Sequence, residues 1–221
     1  YFTIMKLQLA YDLGTYQGLI EFIDQIDEQI DIIEIGTPLI LREGISKLER
    51  VKNKFPEKTI FADLKIMDAG KLEAEIGFQA GADMVSVLGL ASKKTVSGAK
   101  KSATKFGGKI MIDMINHHDP ANQWFEYKQM GMDFVCLHTA HDDAVSGVDS
   151  FENYKIFHQI HDGNNLSLAG GVNPEMIFKI KSCQPEILVV GSYITASKNP
   201  KKSLGEIRRI MNEITIHKDF N

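Results

Sequence analysis

The chain has 221 residues, of which 43% are hydrophobic and 24% charged, and this composition suits one globular domain with a substantial buried core. The formal net charge of −4 gives no general attraction to nucleic acid or to an anionic membrane surface, so any phosphate must be bound locally. Two cysteines are too few for a disulfide framework and no apolar run approaches the roughly 20 residues of a membrane span, so we expect a cytoplasmic protein.

The chain shows no linker or composition break that would mark a second domain. Met5 is a candidate initiator, so we treat residues 1–5 as start residues and expect one domain over residues 6–221. Within this domain a short apolar run, a polar turn and an amphipathic stretch recur. The apolar runs predict eight strands, at Leu7–Tyr11, Ile30–Ile35, Thr59–Ala62, Met84–Leu88, Lys109–Met114, Phe134–Leu137, Leu166–Ala169 and Ile187–Val190.

Most of these runs are continuous rather than alternating, which is typical of parallel strands covered on both faces. The stretches between them have helical period, and Pro120 and the pair Asn173-Pro174 stand where helices would begin. Eight strand–helix pairs predict a single-domain closed (β/α)₈ barrel. A doubly wound open sheet is the alternative, but no Gly-x-Gly-x-x-Gly turn follows the first predicted strand.

Ionisable side chains collect at the carboxyl ends of the predicted strands, where barrels place their catalytic groups. One such residue is usually a cap or a solvated edge. Six of them at the same end of five strands would converge on one small volume, which makes that explanation improbable for the set. The six residues are Asp12, Glu34, Asp63, Lys65, Asp113 and His138.

Asp63 and Lys65 lie two residues apart on a predicted strand, so they should share a face that points into the barrel mouth. A structural ion pair would explain these two residues, but not Asp68 and Glu34 nearby. Glu34 and Asp63 end adjacent strands, and their carboxylates would repel unless a proton or a metal intervenes. Hard oxygen ligands of this kind suit Mg²⁺.

Glycines follow the last two predicted strands, where barrels often build a phosphate site from backbone amides. Gly170 and Gly171 follow strand 7, and Gly191 and Ser192 follow strand 8. A glycine pair alone is usually a turn, but two glycine positions at these two strand ends favour a monophosphorylated substrate.

Histidine is the natural proton carrier near neutral pH, and His138 lies within the ring of carboxylates. His141 lies in the same predicted loop, where it could orient a substrate. We expect His158 and His161 on the outer surface of the helix after strand 6. Cys136 shares the parity of His138 and is predicted to lie in the barrel core.

Several motifs resemble those of one known family. The run Ala62-Asp63-x-Lys65-x-x-Asp68 matches the Asp-x-Lys-x-x-Asp signature of the orotidine 5′-monophosphate decarboxylase suprafamily. The resemblance runs from about Lys6 to the last helix and is nearest to the 3-hexulose-6-phosphate synthase branch, with 3-keto-L-gulonate-6-phosphate decarboxylases next. The other matching strings are Leu7-Gln8-Leu9-Ala10-x-Asp12, Ile33-Glu34-Ile35-Gly36-Thr37-Pro38, Val87-Leu88-Gly89, His138-Thr139 and Ala169-Gly170-Gly171.

The resemblance implies aldol condensation of formaldehyde with D-ribulose 5-phosphate, through a 1,2-enediolate, to D-arabino-hex-3-ulose 6-phosphate. It implies Mg²⁺ as cofactor and a homodimer with shared active sites. The implied roles are Mg²⁺ ligands for Glu34 and Asp63, acid/base for His138, substrate contacts for Asp12 and Lys65, a contribution across the dimer interface for Asp68, and phosphate binding for Gly170, Gly171, Gly191 and Ser192.

Three positions separate the two branches of the suprafamily. The decarboxylases usually carry Glu, Arg and Thr where this chain has Asp113, His141 and Ala169, and Arg where it has Ser192. These residues favour the synthase reaction and leave the decarboxylase as the alternative, with phosphopentose isomerases or epimerases given less weight. A sugar-phosphate-binding barrel that has lost catalysis would be expected to lack some of the charged residues at the mouth. Glu34, Asp63, Lys65 and His138 are all present in this sequence.

Overall fold

The structure is a computed structural model that describes residues 5–26, 29–145, 151–181 and 184–216. Eight parallel strands form a closed barrel in the order β1 to β8, which confirms the predicted (β/α)₈ fold. The strands are β1 Lys6–Tyr11, β2 Ile32–Ile35, β3 Thr59–Ile66, β4 Met84–Leu88, β5 Lys109–Asp113, β6 Phe134–His138, β7 Leu166–Ala169 and β8 Ile187–Val190.

The helices surround this barrel, and a short 3₁₀ helix, Ile45–Lys47, stands before α3. No helix among the described residues has the length and apolar character needed to cross a membrane. The helices are α1 Tyr16–Ile26, α2 Thr37–Glu43, α3 Leu48–Lys54, α4 Gly70–Gln79, α5 Lys93–Phe106, α6 Pro120–Gln129, α7 His141–Val145, α8 Phe151–Ile160, α9 Pro174–Lys179, α10 Ser192–Thr195 and α11 Pro200–Ile216.

The predicted helix starts at Pro120 and Pro174 are confirmed, and both have side-chain caps. Asp119 accepts a hydrogen bond from the backbone N–H of Asn122, and Asn173 accepts one from that of Met176. Each cap satisfies a donor that the first turn of a helix leaves unpaired, and proline suits that turn because it has no N–H to satisfy.

The core has two parts, one between barrel and helices and one inside the barrel. The inner part is apolar toward the amino ends of the strands, where Phe61, Met84, Met111, Phe134 and Ile187 are nearly inaccessible to solvent. Cys136 lies in this inner cluster, as predicted. Toward the carboxyl ends the inward-facing positions become polar, and this change of character creates the site described below.

One surface prediction is wrong. His161 is buried rather than exposed, with aromatic rings of Phe125 and Phe157 centred 4.4 and 4.7 Å away. Its Nε2 lies 2.7 Å from the carbonyl oxygen of Ala121. The ring packs as an apolar body, and its polar edge is satisfied by a helix backbone, which a helical-period argument from sequence did not capture.

Candidate active site

The last residues of β5 and β6 face one another across adjacent strands. His138 Nδ1 lies 2.9 Å from Asp113 Oδ2 and 3.1 Å from its Oδ1. Burial alone would raise the pKa of Asp113, but the hydrogen bond and charge of His138, followed by those of Lys65, lower it from 3.8 to about 2. An ionised carboxylate can only accept, so Nδ1 carries a proton, and in the neutral ring Nε2 keeps the lone pair.

Lys65 links this pair to a second carboxylate. Its Nζ donates to Asp63 Oδ2 at 2.8 Å and to Asp113 Oδ2 at 3.0 Å. Burial disfavours the ammonium, but the two carboxylates outweigh burial and raise the pKa of Lys65 above its ordinary value. We call Asp63, Lys65, Asp113 and His138 the charged chain; the sequence prediction that the ionisable residues converge holds for these four.

The contact between Asp63 and Lys65 arises differently from the prediction. Regular strand alternation was expected, but β3 pairs with β4 at Ala62↔Val85 and next at Ile66↔Val87. Residues 63–65 therefore stand opposite the single residue Ser86, a β-bulge of the special class with two extra residues. Lys65 has φ +47°, a left-handed conformation rarely adopted by non-glycine residues. This bulge turns Lys65 toward Asp113 and extends β3 four residues beyond the predicted end.

Glu34 is the second buried carboxylate of the predicted metal pair. Burial first, and then the negative charge of Asp63, raise the pKa of Glu34, while a hydrogen bond from Gln8 Nε2 to its Oε2, 2.6 Å long, acts against them. Thr37 Oγ1 lies 2.7 Å from the Asp63 carbonyl oxygen and 2.9 Å from Asp63 Oδ2, and Ser86 Oγ donates to Asp63 Oδ1 at 2.7 Å. The carboxylate of Asp63 therefore accepts from Lys65 and Ser86 and shares the single proton of Thr37, while Glu34 accepts only from Gln8 among these donors.

This donor set fits a hard divalent cation. A cation would relieve the unfavourable effect of the Asp63 charge on the ionised form of Glu34, and Mg²⁺ is commonly held by one or two carboxylates while keeping several waters. Among the described residues no group of three or more His, Cys, Asp or Glu is placed to hold a metal ion, so Glu34 and Asp63 would have to share the coordination shell with water or substrate.

Asp12 lies on the rim of the mouth, after β1. Partial desolvation and then the charge of Asp63 raise its pKa, while Lys65 and His141 act in the opposite direction. A Cβ on Gly36 would lie 2.0 Å from Asp12 Oδ1, so the glycine makes room for this carboxylate. His141 begins α7 and is exposed, close enough for its charge to act on Asp12.

The predicted phosphate positions lie at the ends of β7 and β8. Gly170 and Gly171 have φ +92° and +68°, and a Cβ on Gly170 would lie 2.2 Å from the Thr139 carbonyl oxygen. Gly191 caps the short helix α10, which Ser192 begins. A Cβ on Gly191 would meet only Ala10, at 3.7 Å, so protein packing does not itself require glycine there. Ala169, which precedes these glycines, is buried on the barrel interior.

Asp68 lies outside the charged chain. Its Oδ1 accepts a hydrogen bond from the neighbouring Ala69 N–H at 2.7 Å, and the side chain is exposed. It opens on a groove of about 520 Å³ between the first turns of α4 and α5. Within its own chain Asp68 is therefore placed on the surface beside the mouth.

Two site residues, Gln8 and Ser86, were not singled out from the sequence. Both are about 1% exposed and lie on the inner face of the barrel, each bonded to one of the two predicted metal ligands. The sequence pattern marks both residues as facing the barrel interior. Gln8 shares parity with Ala10 on β1 and with Asp12 just after it, and Ser86 interrupts the apolar run of β4. A polar residue inside a closed barrel needs a partner, which parity alone does not identify.

The fold and its mouth define a class of protein. A closed (β/α)₈ barrel whose strand ends hold a histidine, a lysine and two carboxylates in hydrogen-bond contact is a barrel enzyme with acid–base groups at the expected face.

Comparisons with known proteins give the family. The model of the "Orotidine 5'-phosphate decarboxylase / HUMPS family" matches residues 5–207. The 3-hexulose-6-phosphate synthase of Mycobacterium gastri is 38% identical over 92% of this chain and 98% of its own length. The Bacillus subtilis (strain 168) synthase is 33% identical over 94% and 99%. The crystal structure of the Salmonella typhimurium synthase has a TM-score of 0.90 at 31% identity, covering 95% of this chain and 100% of that one.

The chain belongs to the orotidine 5′-phosphate decarboxylase / HUMPS family, which confirms the resemblance drawn from its motifs. Its similarity to 3-hexulose-6-phosphate synthases makes it an enzyme of that type, a lyase.

The lowered pKa of Asp113 predicts a pH-dependent contribution to stability. Because the folded pKa of about 2 lies below the ordinary 3.8, the contribution is complete above about pH 4 and is lost as the pH falls through 2. The difference in unfolding free energy between wild type and Asp113→Asn should therefore shrink by about 1 kcal/mol from pH 5 to pH 3, measured by urea unfolding. Asp24→Asn, at a half-exposed carboxylate, is the control. A difference that stays constant would show that His138 and Lys65 do not hold Asp113 ionised.

Proposed function

We propose that this enzyme condenses formaldehyde with D-ribulose 5-phosphate to give D-arabino-hex-3-ulose 6-phosphate, with His138 as the base and Mg²⁺ held by Glu34 and Asp63. The observation that carries the proposal is the contact of His138 Nδ1 with Asp113, 2.9 Å long, beside a lysine that also bonds Asp113. This arrangement supplies a base with a free Nε2 and a cation in the same small volume.

The proton transfers follow from that arrangement. Nε2 of His138 takes the proton from C1 of the ketose, and the electron pair moves into the C1–C2 bond while negative charge develops on the C2 oxygen. The C2 carbonyl then re-forms and the C1–C2 π pair bonds C1 to the carbon of formaldehyde. The π pair of the aldehyde moves to its oxygen, which takes the proton back from Nε2. Asp113 keeps the imidazole in the required tautomer and stabilises it when protonated.

Lys65 and the carboxylates support the same chemistry. The Lys65 ammonium, whose pKa is raised, stays charged and lies where negative charge on the substrate would develop. When bound, Mg²⁺ would supply Lewis-acid stabilisation of that charge, an effect worth several kcal/mol. Asp12 on the rim would accept hydrogen bonds from sugar hydroxyls.

The remaining positions suit a phosphorylated sugar. The turn at Gly170 and Gly171 and the start of α10 at Ser192 present backbone N–H groups at the two strand ends where barrels bind phosphate. Ser192 adds a hydroxyl donor and no fixed charge. Curated relatives at 33% and 38% identity carry the name of the synthase, which supports this substrate pair over 3-keto-L-gulonate 6-phosphate.

A coupled assay tests the reaction and its metal. Purified enzyme should use ribulose 5-phosphate plus formaldehyde with a higher kcat/KM than 3-keto-L-gulonate 6-phosphate. The reason is that Asp113 and Ala169 leave more room for the aldehyde than the Glu and Thr that the decarboxylases usually carry at these positions. Exhaustive EDTA treatment should abolish turnover and Mg²⁺ should restore it. Glu34→Gln should lower kcat/KM at least about 100-fold and weaken Mg²⁺ binding in calorimetry, because a neutral amide cannot replace the anionic ligand.

The matched control is Glu213→Gln on the outer helix α11, which should behave as wild type. Faster decarboxylation than condensation would overturn the synthase assignment, and full activity after EDTA would overturn the metal assignment. The two outcomes are separate, since one concerns the substrate and the other the cofactor.

We also propose a homodimer in which Asp68 serves the partner's active site. Asp68 is exposed beside the mouth, and the apolar side chains near it are also exposed: Met67 by 51%, Leu72 by 62% and Ile76 by 43%. An exposed apolar face next to a charged residue that its own site does not use is suited to contact with a second copy.

Mixed subunits test this sharing. Asp68→Ala and Lys65→Ala enzymes should each be inactive alone. If the two residues serve one site from opposite chains, each mixed dimer has one intact site, and a random mixture should regain about one quarter of wild-type activity. An inactive mixture, with subunit exchange verified by mass spectrometry, would show that each chain works alone.

A further inference from the structure

Ser86 is a buried serine with two hydrogen bonds into the charged chain. It lies in the middle of β4, is 1% exposed and faces the barrel interior. Its Oγ donates to Asp63 Oδ1 at 2.7 Å and accepts the backbone N–H of Lys65 at 2.8 Å. One hydroxyl therefore joins the side chain of Asp63 to the backbone of Lys65.

The bulge in β3 explains why a hydroxyl is needed at this point. Ser86 is the single residue of β4 that stands opposite residues 63–65, so the regular ladder of backbone bonds is interrupted there. The Lys65 N–H turns to the side chain of Ser86 instead. Lys65 also has φ +47°, a conformation that persists only where surrounding contacts fix it.

The direction of the two hydrogen bonds is fixed. Because the Lys65 N–H can only donate, Ser86 Oγ accepts it, and the single hydroxyl proton is left for Asp63 Oδ1. Because Ser86 holds Asp63 Oδ1, the other carboxylate oxygen, Oδ2, faces Lys65 Nζ at 2.8 Å. The placement of the ammonium between Asp63 and Asp113 thus depends on a residue that does not itself reach Nζ.

We propose that Ser86 is a positioning residue that sets both the carboxylate of Asp63 and the bulge that carries Lys65; the inference rests on the proposed function, in which both act. Removal of its Oγ leaves the buried N–H of Lys65 without an acceptor and Asp63 Oδ1 without its donor. A hydrogen bond to a charged group is among the stronger ones, and its loss has a correspondingly large effect.

The test compares Ser86→Ala with Ser86→Thr and Ser102→Ala. Threonine keeps the hydroxyl. Ser102 on α5 offers the same change at the same burial, 1% exposed, and loses one hydrogen bond, that of its Oγ to the Lys71 carbonyl oxygen at 2.7 Å, where Ser86→Ala loses two. For each variant we would measure kcat and KM, the affinity for Mn²⁺ alone by calorimetry, and the midpoint of urea unfolding.

Ser86→Ala should lose about 10- to 100-fold in kcat/KM, mainly in kcat, and bind Mn²⁺ more weakly than wild type. Ser86→Thr should recover most of both losses. Ser102→Ala should be destabilised less than Ser86→Ala, because it loses one neutral hydrogen bond rather than two, and should keep wild-type kinetics and Mn²⁺ affinity. Kinetics and Mn²⁺ affinity of Ser86→Ala within about twofold of those of Ser102→Ala would overturn the proposal, as would equal losses in Ser86→Ala and Ser86→Thr.

The outcome is independent of the substrate assignment. Variants are compared with wild type on whichever of the two sugar phosphates the wild type turns over, so a decarboxylase would contradict the proposed function without removing the test of Ser86. An unfolded Ser86→Ala protein would leave the decision to Ser86→Thr against Ser86→Cys, a weaker donor, with the same readouts. Equal kinetics and Mn²⁺ affinity in those two variants would then contradict the proposal.

Discussion

A buried carboxylate stays ionised only where donors replace the water it has lost, and Asp113 is such a carboxylate. Two donors bond to its carboxylate: Lys65 Nζ lies 3.0 Å and His138 Nδ1 2.9 Å from Asp113 Oδ2. Each of the three groups is held in its chemically useful form by the others: the lysine charged, the aspartate ionised and the imidazole with its proton on Nδ1. If any one were removed, the remaining two would be left in a low-dielectric site without full compensation.

The barrel provides the place for this cluster. Parallel strands bring the ends of β3, β5 and β6 to one face, and the apolar interior below excludes water from one side. The bulge in β3 then departs from regular strand geometry to direct Lys65 across the mouth. The strained backbone of Lys65 therefore lies at the candidate active site. The apolar half of the barrel, toward the amino ends of the strands, keeps regular strand pairing.

Much of this arrangement could be predicted from the sequence. Continuous apolar runs give the strands, and Met84–Leu88, Leu166–Ala169 and Ile187–Val190 match to the residue, because both faces of a parallel strand must be apolar. The convergence of the charged residues follows from barrel topology. The bulge at Lys65 could not be predicted, since it depends on register between β3 and β4 rather than on local pattern. Gln8, Ser86 and His161 were missed in the sequence analysis for a related reason. The partner of a buried polar group is set by the tertiary structure and cannot be read from the local sequence.

The proposed chemistry requires Asp113 to hold His138 with its proton on Nδ1, and ¹⁵N NMR of the imidazole shows which ring nitrogen carries the proton. Enzyme labelled with ¹⁵N-histidine would be studied at a pH where the ring is neutral, and the His138 signals assigned by their loss in His138→Asn. We expect a protonated Nδ1 and an unprotonated Nε2 in wild type, and loss of that preference in Asp113→Ala. A proton on Nε2 in the neutral wild-type ring would contradict this, because the lone pair would then lie on Nδ1 and face Asp113 rather than the substrate.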